Sequence, residues 1–289
     1  MTFDFLSFRF VFSALETVAF PAGQPGNILR GAFGLAFRAA ACTAECPGVG
    51  CAHAPSCKYA RVFEPASVRP GPSGLKNWPR PFVFRAAYLD GRTIEGGERF
   101  WFDFNLFDTE DPPLNEFAQA FAEMGKSGLG PSRARVELVS VEQRSVSVSL
   151  AAHSTPTRKL AVDFVTPTEL KSGEELAARP DFGVLFARAR DRVNTLRTLY
   201  GPGSLDIDFR GMGQRAQSVR MTRCDLRDVK AARRSSRTGQ IHSIGGFVGT
   251  AEYEGELTEF VPYLEAAQWT GVGRQCGWGK GELRLVARP

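Results

Sequence analysis

The chain has 289 residues, 43% hydrophobic and 23% charged, with a net charge of +5. That length and composition suit about two soluble domains of ordinary size, and no apolar run approaches the roughly 18 residues of a membrane span. Met1–Leu15 alternates like a strand and lacks the basic flank and apolar helix of a signal peptide, so the cytoplasm is the expected location.

Hydrophobic periodicity predicts a strand over 3–13 and a helix from Asn27, as its cap, to about Ala41. After a long irregular stretch come Phe- and Trp-rich strands near 82–88 and 98–107. Asp111 is expected to cap a helix that starts with Pro112 and Pro113, aligns Leu114, Phe117, Ala118 and Phe121, and ends near Gly125. Strands near 133–151 close this half. The second half repeats the order: a strand near 158–165, a helix capped by Asp181 and stopped by Gly201, long strands near 216–230 and 241–254, a helix in LTEFVPYLEAAQW, and a last strand in ELRLVA. Strand, helix, strand, strand, helix, strand is the ferredoxin-like order. The expected fold is therefore α+β, with tandem ferredoxin-like (βαββαβ) domains over 1–152 and 153–289. The first carries a Cys-rich insertion at 42–57, and the second a glycine-rich loop before its last strand.

That loop, GVGRQCGWGKG, has glycine at five of the eleven positions from Gly271 to Gly281. It is not a phosphate loop, because Arg274 stands where the first Gly belongs and Gly281 where the hydroxyl residue belongs; Cys276 breaks the dinucleotide fingerprint. Glycines at Gly271, Gly273, Gly277 and Gly279 can instead bring backbone N–H groups close to a polyanion, with Arg274 and Lys280 adding charge; the competing reading is a tight helix-to-strand connection. Trp278 is either a stacking platform for a base or a core residue. A polyanion also fits the charge distribution. From Arg210 to Gln240, nine Lys or Arg face two Asp, a local charge of +7, and everything outside that segment sums to −2. A solvated strand pair is the alternative.

The segments SSRTGQIHSIGGFVGTAEYEG (235–255), LTEFVPYLEAAQWTGVG and GWGKGELRL together resemble the C-terminal domain of the CRISPR precursor-RNA processing endoribonucleases of the RAMP superfamily. ILRGAFGLAFRAAAC, CKYARVFEP and GPSGLKNWPRPFVFRA resemble their first domain. The resemblance implies metal-independent cleavage of a CRISPR repeat RNA, a glycine-rich loop lying against that RNA, and delivery of the product to a CRISPR effector complex. The implied chemistry is attack of a ribose 2′-hydroxyl on its neighbouring phosphate, giving 5′-hydroxyl and 2′,3′-cyclic phosphate ends, and it needs a base, an acid and cationic charge.

Histidine suits the proton steps, and there are three. His153 lies in the connector between the halves. His53 is embedded among cysteines, although family members often carry the working histidine just after the first helix, where His53 stands. His242 follows the basic stripe, where Arg233, Arg234 and Arg237 can hold phosphates. His242 is therefore placed first and His53 second; Tyr59, Lys58 and Ser236 are candidate helpers. Cys42, Cys46, Cys51 and Cys57 are spaced by three, four and five residues, which allows one closed tetrahedral site with zinc as the default ion. An iron–sulfur cluster or a set of reduced thiols are the other readings. A non-catalytic RAMP-type RNA-binding subunit would keep this fold without a productive histidine.

Overall fold

β1 (Thr2–Ala14) alternates Phe with small or polar residues, and both of its faces are covered. Phe8, Phe10 and Phe12 turn into one core, while Phe3 and Phe5 turn the other way into a second core shared with the C-terminal half. The computed structural model describes residues 1–42, 53–65, 78–234, 239 and 241–286, with the side chains of residues 55, 233, 234, 241 and 242 outside that description.

In the first half β1 is followed by β2 (Val18–Ala19), α1 (Pro25–Ala41), α2 (Lys58–Phe63), β3 (Phe82–Arg85), β4 (Thr93–Ile94), β5 (Arg99–Leu106), α3 (Leu114–Ser127) and β6 (Val136–Ser149). The antiparallel sheet runs β3-β5-β1-β6, and β2 and β4 form a separate ribbon. The second half has β7 (Lys159–Thr168), a small ribbon of β8 (Lys171–Ser172) and β9 (Glu175–Leu176), α4 (Phe182–Tyr200), α5 (Phe209–Ala216), β10 (Arg220–Val229), β11 (Ala232–Arg234), β12 (Ile241–Ser243), β13 (Gly246–Glu254), α6 (Val261–Thr270) and β14 (Leu283–Val286). Its sheet runs β10-β13-β7-β14. In each half the second, third, first and fourth main strands lie side by side, so the chain is two ferredoxin-like units in tandem.

Phenylalanine is the commonest residue of the first core. Phe121 of α3 stacks on Phe10 at 3.9 Å and on Phe33 of α1 at 4.5 Å. Each such ring contributes roughly 1.5–3 kcal/mol by leaving water, so α1 and α3 are held on the sheet chiefly by phenylalanine.

Several boundaries differ from the sequence expectation. α1 starts at Pro25 with Gln24 as its cap position, two residues before Asn27, because proline fits the first helical turn. Asp111 does not cap α3, since its carboxylate takes Arg61 at 2.6 Å. The 133–151 segment is one strand. α5 was not expected, because FRGMGQRA carries two glycines; Asp208 supports it by accepting from Gly211 N at 2.8 Å. The 241–254 stretch divides into β12 and β13 at Gly245, where a Cβ would strike the Val229 carbonyl.

The two units meet at the C-terminal end of α6. Arg85 of β3 is buried and donates from Nη2 to the Trp269 carbonyl at 2.9 Å and the Gln268 carbonyl at 3.3 Å. Asn105 of β5 donates to the same Trp269 carbonyl at 3.1 Å, and Arg192 of α4 to that of Thr270 at 2.9 Å. These last carbonyls have no partner inside the helix and carry its negative dipole end, so donors from three elements complete them. Burial pushes the Arg85 guanidinium below its usual pKa, with the negative charge of Glu282 opposing that shift.

Candidate nucleic-acid interface

The glycine-rich loop connects α6 to β14 through a short turn at Cys276–Trp278. Most of its glycines have a local reason. Gly271, Gly273, Gly279 and Gly281 all have positive φ, and a Cβ at Gly273 or Gly281 would run into the carbonyl of Glu169 or Val272. A Cβ on Gly279 would lie 2.9 Å from Gly26 Cα, and one on Gly26 2.7 Å from Gly279 Cα, so α1 and the loop touch backbone to backbone. Gly277 differs: its φ is not positive, and a Cβ there meets nothing closer than the Phe82 carbonyl at 4.0 Å.

The loop's cations are partly engaged. Lys280 is buried and donates to Glu169 at 3.0 Å and to Gln275 at 3.1 Å; burial pushes its ammonium pKa down and Glu169 opposes that shift. Lys280 therefore neutralises Glu169 instead of presenting a free charge. Arg274 is half exposed and lies 3.6 Å from the same carboxylate. Gln275 takes a left-handed backbone, φ 61°, and its Nε2 donates to the Ser243 carbonyl at 3.2 Å. That bond ties the loop to the β11–β12 hairpin.

His242 lies on this hairpin, one residue before Ser243, with Arg233 opposite it in the antiparallel register and Arg234 opposite Ile241. Arg237 and Ser236 lie outside the described residues. His53 is exposed at the start of a turn before α2, where Lys58 is ion-paired to Glu116 at 2.6 Å and Tyr59 stacks on Phe63 at 5.2 Å. Burial raises the Tyr59 pKa. His153 pairs with Glu265 at 3.1 Å. The Sγ atoms of Cys42 and Cys57 are 3.7 Å apart, while Cys46 and Cys51 lie outside the described residues. Among the described residues, no group of three or more His, Cys, Asp or Glu is arranged to hold a metal.

The basic stripe divides in two. Arg215 forms a two-pronged pair with Glu259, Arg220 lies 3.6 Å from Glu254, and Arg223 pairs with Asp225. Arg227, by contrast, is exposed and forms no hydrogen bond or ion pair with any described residue. It lines a small cleft of about 80 Å³ with Gly23, Gly26, Thr166, Trp278 and Lys280, where the start of α1, the glycine loop and the second sheet converge. Trp278 is partly buried, and the Arg30 guanidinium lies 5.7 Å from its ring centroid. Glu169, outside every motif, and Gln275, inside the glycine loop, both accept from the Lys280 that lines this cleft, and residue type alone marks neither of them in the sequence.

Residues 162–283 match the family model described as CRISPR-associated endoribonuclease Cas6, and residues 3–159 match one described as an N-terminal domain. Residues 162–283 thus belong to the Cas6 family. The chain is an endoribonuclease, and the family matched by its C-terminal half processes CRISPR RNA. Similar solved structures include a Cas6 product complex, with 15% identity, TM-score 0.58 and coverage of 98% of this chain and 100% of the other. Thermus thermophilus Cas6 gives 14% identity, TM-score 0.53 and 99% coverage of both chains. A partial Cas6-RT-Cas1–Cas2 complex gives 11% identity and TM-score 0.60 over 98% of this chain and 46% of that one. At such identities the Cas6 likeness is one of fold. No curated protein matches the chain in sequence.

Proposed function

We propose that the chain cuts precursor CRISPR RNA within its repeats to make guide RNA, by internal transesterification and without a divalent metal. The ribose 2′-oxygen bonds to the adjacent phosphorus as the bond to the 5′-oxygen breaks; one proton leaves the 2′-hydroxyl and one reaches the 5′-oxygen. The ends are a 2′,3′-cyclic phosphate and a 5′-hydroxyl. The observation that carries the reading is the cleft beside the His242 hairpin, where Arg227 is an exposed cation and Gln275 fixes the hairpin against the glycine loop. His242 is the first choice for a proton transfer and His53 the second. The RNA partner is the repeat, and the product would pass to a CRISPR effector complex. A repeat RNA incubated with the protein and a chelator tests this: both product ends should form. Tight binding with no cutting would instead make the chain a RAMP-type binding subunit.

RNA phosphates would be gathered by Arg227, Arg233, Arg234 and Arg237. Neutralising any one of them should flatten the slope of log affinity against log salt by about one, whereas Arg215→Gln should leave it unchanged because Glu259 already holds that charge. Equal effects at Arg215 and Arg227 would sink this division of the stripe.

We also propose that Cys42, Cys46, Cys51 and Cys57 hold a structural ion, a reading that the Cys42–Cys57 separation supports. A tetrahedron of Zn–S bonds about 2.3 Å long has an edge of about 3.8 Å, close to the 3.7 Å between Cys42 and Cys57. Zinc held there would tie the end of α1 to the start of α2, away from the chemistry. Purified protein should then contain about one equivalent of zinc, and chelation should lower its melting temperature. Zinc-free protein with the same melting curve would leave the cysteines as thiols.

A further inference from the structure

Four strands form the outer edges of the two main sheets, and three of them are guarded. β3 is buried throughout and lies against the Cys276–Trp278 turn. β14 has four residues. β10 carries Arg220, Arg223, Asp225, Arg227 and Asp228, and a register shift at Met221/Arg223 interrupts it. Charge, shortness, irregularity and cover are the usual protections of an edge whose backbone groups would otherwise pair with another strand.

β6 has little of this protection. It is fourteen residues long, VELVSVEQRSVSVS, without Pro, Gly or Lys. Beyond a bulge at Val139, Ser140–Ser149 runs in regular register along β1, and among the described residues no strand lies on its other side. Val139 and Val141 are 43% and 46% exposed. Glu142 and Arg144 are exposed and form no ion pair with any described residue; Arg144 only lies over Trp269, 5.3 Å from the ring centroid.

We propose that β6 pairs with β6 of a second copy of this chain, antiparallel about a two-fold axis at Gln143, joining two four-stranded sheets into one of eight. The occupant is read from charge. In that register Glu142 of each protomer stands opposite Arg144 of the other, so one sequence supplies two complementary pairs. Val141 stands opposite Ser145 on the α3 side, and Ser140 opposite Val146 on the other. The register also covers the exposed valines and completes the outward-facing backbone groups of both edges.

Sedimentation of the full chain at micromolar concentration should show a dimer. Arg144→Glu sets Glu against Glu twice, and Glu142→Arg sets Arg against Arg twice; each should raise the dissociation constant about tenfold or more. An equimolar mixture of the two variants should form a heterodimer, because every pair across the axis is again opposite in charge. The mixture also controls for folding, since the lost Arg144–Trp269 contact is not restored by mixing. A monomeric wild type, variants that dimerise as well as the wild type, or a mixture that stays monomeric would each overturn the proposal.

Discussion

Alanine at His242 is expected to slow cleavage of a repeat RNA by about a hundred- to ten-thousand-fold, the range that one positioned proton-transfer group supplies, while affinity for uncut RNA stays close to wild type. The asymmetry follows from the site's charge. On the proposed site, an imidazole would contribute little to holding an RNA that Arg227 and the hairpin arginines would already attract, but the 2′-hydroxyl would not lose its proton readily without a base near neutral pKa. Single-turnover cleavage beside a binding titration separates the two effects. Normal cutting by His242→Ala with a dead His53→Ala would move the proton step to the first domain, next to α2. If both variants cut normally, histidine does not drive the reaction.

A comparably large effect is expected on stability from the loop. At Gly279 a methyl group meets both a left-handed backbone, φ 82°, and Gly26 Cα at 2.9 Å. Chirality and overpacking together put the cost of Gly279→Ala at about 2–5 kcal/mol, and the contact between α1 and the loop should loosen. Gly277→Ala, two residues away, should change stability by less than about 0.5 kcal/mol, because its Cβ enters open space. Thermal melts of both variants decide the point; an unchanged melt for Gly279→Ala would mean that the approach to Gly26 is not maintained. If the backbone at Gly277 lies against RNA, Gly277→Leu should weaken binding without changing the melt.

The two glycines also mark what the sequence could reveal. Period-two alternation in β1 and the aligned apolar stripes of α3 and α4 were legible because burial imposes them residue by residue, and twofold repetition of the element order led to the tandem fold. Cap positions were less legible: Asp111 has the chemistry of a helix cap, yet a tertiary partner, Arg61, takes its carboxylate. The glycine loop was found as a pattern, but its content was only partly readable. Most of its glycines answer to Gly26 and Glu169, which are distant in sequence, or to Val272 across the loop itself, and the buried ion pair of Lys280 with Glu169 gives no local signal. Likewise the stripe from Arg210 to Gln240 counts charges, whereas the fold decides which of them, such as Arg215 beside Glu259, are already neutralised.

The donors gathered at the end of α6 bear on how the molecule comes apart. Arg85 and Asn105 belong to the first sheet and Arg192 to the second unit, yet all three complete carbonyls of one helix. Phe3, Phe5 and Val83 sit in the same core as Leu185 and Leu264. Pulling the halves apart would strand a guanidinium that has little water around it and expose aromatic surface on both sides, so neither half has a low-energy existence alone. Heat or denaturant should therefore melt both units in a single cooperative transition, and a chain cut between them would be held together by that seam more than by its linker.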